Sequence, residues 1–344
     1  KVPISVGRKI NDLNCNWLYA EQDTKRSYPH GTLAAQVIGF TRGEASWGIE
    51  SVYNDDMTGI PGRTFRTYER NGSIVTQREN PVKDNKLVTT LDANIQQFAE
   101  DVCKTAYDAY DPEYTDSIVM NPKTGEIYAM AQYPSFDLND PMKLTDLGKT
   151  NISSTWDKMT DKQKNDLANK AWKNFAITDT FEPGSIYKPI VVAMALEEGV
   201  IKSTDSFYCG GVKKIAVYEI HCHNRNGHGT LSLTGVLAQS CNIGMMEIIT
   251  KLGAEKYLQY QHDFGFGEKT GIDLPNEASA SNLLYSLSNL HSAEMATSSF
   301  GQGFNCTPIQ AITAFSSIIN GGKLMRPYVV SQVVDNDGNI VREN

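Results

Sequence analysis

One stretch of the chain has residue types and spacing suited to covalent chemistry: Phe181-Glu182-Pro183-Gly184-Ser185-Ile186-Tyr187-Lys188-Pro189. Pro183-Gly184 breaks the preceding chain, and Pro189 is tolerated only near a helix start, so Ser185 falls in or beside the first turn of a helix that continues through the apolar residues after Pro189. Lys188 then stands one turn up the same face. A serine hydroxyl is a poor nucleophile at neutral pH, but an amine whose pKa is lowered by partial burial can take its proton. Backbone N–H groups at the helix start favour the negative charge that develops on an attacked carbonyl. Taken alone, so short a pattern more often marks an N-cap serine and an exposed helical lysine.

The context changes that reading. Fifty-five residues on comes Ser240-Cys241-Asn242, set between two helical patterns. A loop there can carry a hydroxyl that relays a proton and a carboxamide that holds a peptide backbone and the lysine, although by itself the triad also fits an ordinary cap or turn. S-x-x-K, S-D-N and K-T-G together form the catalytic set of one class of serine acyl enzymes. The first two occur here in order, with Cys241 in place of the Asp. Lys-Thr-Gly occurs twice, and neither copy suits the third role. Lys123-Thr124-Gly125 falls in a hairpin turn ahead of the nucleophile. Lys269-Thr270-Gly271 follows Gly265 and Gly267 and precedes Pro275, which argues for a loop.

Cys209, Cys222 and His228 give C-x12-C-x5-H, three ligands of the kind zinc favours, with Asp205, His221 or His223 available as a fourth. Zn2+ here would brace the catalytic loop that begins at Ser240. A Cys209–Cys222 disulfide and two free thiols are the alternatives.

These residues need elements to hold them. The first 85 residues, rich in Gly and short polar segments, read as an irregular, strand-rich module. A strand over 86–91 and a helix over 94–107 open a second domain, followed by a hairpin of 117–120 and 126–131. Residues 146–170 are polar and charged. Helical patterns then cover 190–196, 234–252 and 308–319 before a strand over 328–334. The order indicates an α+β domain whose remaining strands come later in the chain. With 344 residues, a net charge of −8 and pI near 5.3, no global field favours nucleic acid. No apolar run approaches the ~20 residues that span a bilayer. Both ends, Lys1-Val2-Pro3 and Val341-Arg342-Glu343-Asn344, read as cut, so the lack of an anchor says little about the gene product.

Arg26-Ser27-Tyr28-Pro29-His30-Gly31-Thr32-Leu33-Ala34, Gly48-Ile49-Glu50, Thr90-Leu91-Asp92, residues 121–131, the Ser185, Lys188 and Ser240-Cys241-Asn242 motifs, and Phe300-Gly301-Gln302-Gly303 with Thr307-Pro308 together resemble class B penicillin-binding proteins along nearly the whole chain. The resemblance implies a partial pedestal over 1–85 and, over 86–344, a penicillin-binding-protein/β-lactamase-like transpeptidase domain lacking its C-terminal strands. It implies a peptidoglycan D,D-transpeptidase in which Ser185 attacks D-Ala-D-Ala stem peptides, Lys188 is the base, Ser240 relays the proton and Asn242 positions the donor. β-Lactams would acylate Ser185. The implied setting is the extracytoplasmic face of the cell membrane, anchored by an N-terminal helix and partnered by a membrane glycosyltransferase, with no nucleic acid and no cofactor needed for the chemistry. In this family the catalytic Lys-Thr-Gly lies well after the Phe300-Gly301-Gln302-Gly303 motif, so the third motif is expected to be missing from these 344 residues. The alternatives are a D,D-carboxypeptidase or β-lactamase, and a wall-assembly or sporulation scaffold with an incomplete site.

Overall fold

Strand Thr115–Met120 turns back on Ile127–Tyr133 in antiparallel register, with Ser117 opposite Ala131 and Met120 opposite Ile127. The computed structural model in which this hairpin is seen describes the chain apart from residues 1, 16, 19, 21–24, 44, 60–61, 69–73, 80–83 and 145–155. Part of the polar stretch at 146–170 therefore lies outside the described residues. The hairpin turn is the first Lys-Thr-Gly copy. Asn121 Oδ1 accepts the Lys123 N–H at 3.0 Å, and Gly125 sits at φ +85° with the Arg326 carbonyl so close that a Cβ would lie 2.3 Å from its oxygen. Only glycine fits there.

Helix Ala93–Tyr110 lies against this hairpin. The Asp92 carboxylate caps it through the Asn94 and Ile95 N–H groups, and Gln96, Ala99, Cys103 and Tyr107 form its buried stripe. Ala99 and Cys103 pack on Ala129 and Ala131. Strand Lys86–Thr89 pairs antiparallel with Val330–Val334, which in turn pairs with Ile340–Glu343. Residues distant in sequence thus close one sheet.

The largest core surrounds helix Lys188–Glu197, in which Ile190, Val191, Val192, Met194 and Ala195 are all buried. A helix apolar on every side is a central one. Asn242–Leu252 and Pro308–Ile319 pack against it. The helical stretch over 234–252 breaks where the sequence indicates a loop at Ser240-Cys241-Asn242: Leu233–Ala238 and Asn242–Leu252 are separate helices, with Ser240 at a left-handed φ of +48° between them. Between the nucleophile helix and this pair the chain makes two hairpins, Ser206–Cys209 with Gly229–Ser232 and Val212–Ile215 with Tyr218–His221. Helix Asp161–Trp172 emerges from the polar stretch, started by a capping box between Thr160 and Gln163 and burying only Ala168, Ala171 and Trp172.

The described part of the first 85 residues carries the hairpins Thr41–Arg42 with Ala45–Ser46 and Arg63–Tyr68 with Ile74–Glu79, and also the helices Ile4–Asp12, Ala35–Ile38, Gly48–Val52 and Asn54–Met57. Arg26 grips the buried Glu50 with two hydrogen bonds of 2.7 and 3.0 Å. Tyr53 Oη donates to Asp273, which also accepts the Val329 and Val330 N–H groups. Asp273 therefore ties this region to the start of strand Val330–Val334. Helices with antiparallel strand pairs make the fold α+β. No helix among the described residues is long and apolar enough to cross a membrane.

Candidate active site

Ser185 lies on a single 3-10 turn, Gly184–Tyr187, that leads into helix Lys188–Glu197. Tyr187 is fully buried, its ring 4.8 Å from that of Phe304 and 5.3 Å from that of Phe266. This anchor fixes the turn so that Ser185 is exposed while Lys188, 2% exposed, points inward. The second motif is held by the break between helices. Left-handed backbone at a serine is unusual and is stored where the surroundings enforce it. Here the Ser240 N–H is bonded to the Leu237 carbonyl and the Cys241 N–H to the Val236 carbonyl, and the Cys241 Sγ caps the next helix at Gly244.

The two motifs meet in one hydrogen-bonded array. Lys188 Nζ donates to Ser240 Oγ at 2.8 Å, to the Ser240 carbonyl at 2.6 Å and to Asn242 Oδ1 at 2.8 Å. Ser240 Oγ donates to Ser185 Oγ at 3.0 Å. Asn242 Nδ2 reaches the His221 carbonyl at 3.4 Å. Burial lowers the pKa of Lys188 to about 8, against the opposing pull of charge on Cys222 and Cys241. An amine with that pKa is partly neutral near physiological pH and can act as a base. The array therefore links an exposed hydroxyl, through a second hydroxyl, to a buried amine, an arrangement chemically able to pass a proton. All four sequence-derived residues, Ser185, Lys188, Ser240 and Asn242, are brought together.

Neither Lys-Thr-Gly copy joins them. In the second copy the Thr270 hydroxyl and N–H both donate to Glu277 Oε1 at 2.6 Å, and the Gly271 N–H donates to Glu277 Oε2 at 3.1 Å. Glu277 is buried, and its carboxylate uses up the threonine that a substrate would need. Residues 269–271 carry no strand, as the flanking glycines and proline indicate.

Behind Ser240 lies a second cluster. Ligand atoms of Cys209, Cys222, His228 and Cys241 all fall within 4.8 Å of one another. Cys222 Sγ and His228 Nδ1 are 3.7 Å apart, near the ~3.5–3.8 Å edge that zinc–sulfur and zinc–nitrogen bond lengths imply for a tetrahedron. The three cysteines are buried and unpaired, so no Cys209–Cys222 disulfide is present. Burial pushes Cys222 up, but the backbone N–H groups of Asn242, Asn224 and Ile243 and the Cys209 side chain outweigh it and leave the thiol below its ordinary value. Such surroundings favour a thiolate, the form that binds metal.

The sequence expectation for the fourth ligand is corrected. Asp205 stands at the far end of the strand from Cys209, roughly 13 Å away at ~3.3 Å per residue. Its carboxylate accepts the Lys202 N–H and faces Lys251 instead. Cys241 stands in the cluster instead, because capping a helix directs its side chain inward beside Cys222. In the sequence Cys241 reads as a replacement for Asp, although a cysteine between two candidate catalytic residues and near a C-x12-C-x5-H pattern is a usable signal. His221 contributes only its carbonyl to Asn242, and His223 Nδ1 flanks the cluster 3.8 Å from Cys222 Sγ.

Comparison with known proteins agrees with this geometry. Residues 117–344 match the family described as "Penicillin binding protein transpeptidase domain". The chain is 32% identical over 342 residues to stage V sporulation protein D of Bacillus subtilis, covering 97% of this chain and 49% of that protein. It is 28% identical over 332 residues to the peptidoglycan D,D-transpeptidase FtsI of Escherichia coli, covering 94% of this chain and 51% of that protein. The chain thus spans about half the length of the curated relatives it matches. Among solved structures, a peptidoglycan synthetase from Bifidobacterium adolescentis superposes with a TM-score of 0.78 at 25% identity, covering 100% of this chain and 59% of that one. Penicillin binding protein 3 of Mycobacterium tuberculosis, solved with aztreonam, superposes with a TM-score of 0.74 at 25% identity, covering 93% of this chain and 64% of that one.

Proposed function

Because the chain belongs to the penicillin-binding-protein transpeptidase family, we propose that it supplies the nucleophile, base and proton relay of a class B peptidoglycan D,D-transpeptidase. The observation that carries this reading is the continuous contact from Ser185 Oγ through Ser240 Oγ to Lys188 Nζ. Ser185 Oγ attacks the carbonyl of the penultimate D-Ala in a stem peptide, its proton passing by way of Ser240 to neutral Lys188. The Ser185 N–H supplies half of the oxyanion hole. The C–N bond then breaks, the terminal D-Ala amine takes the proton back, and an ester remains on Ser185. An amine of a neighbouring stem attacks that ester, forms the cross-link and restores the hydroxyl. A β-lactam enters by the same step, because its ring amide stands in for the D-Ala-D-Ala bond. Asn242, held by Lys188 and the His221 carbonyl, is placed to hold the donor backbone.

The proposed domain division is a partial pedestal over 1–85 and a transpeptidase domain from 86, completed by strands outside the chain. Two features support it. Strand Thr115–Met120 has one partner strand among the described residues, and beside it a cavity of about 370 Å3 is lined by Ile118, Phe181, Ile186 and Phe315. A free strand edge next to apolar side chains invites another strand. The third motif would arrive on it, as a structure of the intact gene product would check.

The residues also fit a metal. Cys209, Cys222, His228 and Cys241 would hold a zinc ion, whose contribution is structural: it ties two hairpins to the loop that carries Ser240 and Asn242. Elemental analysis of the purified protein should give one zinc per chain. Cys241→Ser should lose most of it and melt at lower temperature, since metal binding energy is folding energy at such sites. A metal-free protein with an intact Cys209–Cys222 disulfide would overturn the assignment.

The substrate sets the location. Stem peptides are cross-linked outside the cytoplasm, so the active site would face outward from the membrane, reached through an N-terminal anchor and beside a membrane glycosyltransferase that supplies glycan strands. The likeness to stage V sporulation protein D supports a role in sporulation. Recovery of the intact gene product in the cytosolic fraction would contradict this location.

A further inference from the structure

The Phe300-Gly301-Gln302-Gly303 motif has no part in the proton path, yet its backbone lies directly on the segment that presents Ser185. The Gly184 N–H donates to the Gly301 carbonyl at 2.8 Å. Phe181 and Cys306 exchange both backbone hydrogen bonds, at 2.9 and 3.0 Å. Between them, Glu182 Oε1 accepts the Gly303 N–H at 2.9 Å. The contact at Gly301 is too close for any side chain. Its φ is +78°, and a Cβ would lie 2.1 Å from the Gly184 carbonyl oxygen and 2.6 Å from the Gly184 nitrogen.

This second segment is itself rigidly held. Phe304 is buried against Tyr187, Cys306 is fully buried, and Thr307 starts helix Pro308–Ile319 with a capping box to Gln310. The nucleophile segment is anchored at its end by buried Tyr187, but Ser185 itself sits on one 3-10 turn entered through Gly184 at φ +60°. A single such turn has poor hydrogen-bond geometry of its own. If Ser185 Oγ moved away by about 1 Å, its 3.0 Å contact with Ser240 would pass beyond hydrogen-bond reach.

The geometry points to Gly301 and Glu182 as positioning residues: residues 301–306 form a backbone splint that sets the distance between Ser185 and Ser240. Gly301 allows the two backbones to touch, and the Glu182 carboxylate locks the contact through Gly303. This inference rests on the acyl-transfer reading above.

The test measures acylation of the full-length protein by a fluorescent penicillin, separating the non-covalent binding constant from the first-order acylation rate. Gly301→Ala should slow acylation by about a hundredfold, the loss that follows from misplacing a reacting group by about 1 Å. Binding should change little. Glu182 is exposed, so its variants test the idea without threatening the fold. Glu182→Ala should slow acylation by about tenfold, as expected for one lost charge-assisted hydrogen bond. Glu182→Gln, which keeps an acceptor oxygen, should recover most of that rate. Wild-type acylation rates in Gly301→Ala and Glu182→Ala would overturn the splint, as would a Glu182→Gln variant as slow as Glu182→Ala. A wild-type protein that takes up no penicillin would overturn the acyl-transfer reading itself, and the splint with it.

Discussion

Ser185→Ala in the intact gene product should abolish covalent labelling by a fluorescent penicillin and reduce D-Ala release from stem peptides by on the order of 10⁴-fold or more. The loss should be this large because no other hydroxyl can take over. Ser240 Oγ is already engaged with Lys188 and sits behind Ser185, on a strained residue whose backbone holds it in place. The variant should fold normally. Ser185 is exposed and its side chain makes one hydrogen bond among those described, so the substitution removes little packing. Gel fluorescence beside a thermal melt checks both halves. Undiminished labelling of a folded Ser185→Ala protein would move the nucleophile elsewhere.

Lys188→Met should lower the acylation rate by about 10³-fold, within the range for loss of a positioned general base. Methionine keeps the length and apolar stem of the side chain in a site that is 2% exposed, but it donates nothing to Ser240 or Asn242. Each acceptor left buried without a donor costs about 1–3 kcal/mol, so some stability should be lost as well. The pH profile separates the two effects. In the proposed mechanism neutral Lys188 is the base, so in the wild type acylation should rise with pH through about 8 and then level off. In Lys188→Met that limb should be absent. The same shift affects stability. An unfolded lysine holds its proton up to about 10.4, whereas the folded one releases it near 8. Between those values the unfolded chain binds more protons, so this group's contribution to stability grows as pH rises. A limb of unchanged pKa in Lys188→Met would assign the titration to another group.

The candidate catalytic residues are legible because their chemistry is local. A Pro-Gly break, a serine, a lysine one turn on and a proline that must start a helix fix the Ser185 and Lys188 geometry within a few residues. Ser240 and Asn242 are legible from the triad and from its place between two helical patterns, but the left-handed backbone at Ser240 is not, since a serine gives no sign of positive φ. The strands between 206 and 232 leave no mark in the sequence pattern for a different reason. Each is four residues long, and in Ser206–Cys209 only Phe207 and Cys209 are buried, too few alternations to show a period. Closeness in sequence suggests Asp205 as a ligand, whereas strand direction carries it away and the helix cap brings Cys241 in. The splint at residues 301–306 was visible only as a motif. What it touches lies more than a hundred residues earlier, and no local pattern encodes that contact.

The most direct test of the whole account is the site of the covalent adduct. The intact gene product, incubated with benzylpenicillin and digested, should yield a single modified peptide with the penicilloyl mass on Ser185, at one equivalent per chain by intact mass. An adduct on Ser240 or another residue, or a folded, full-length protein that gains no mass, would contradict it.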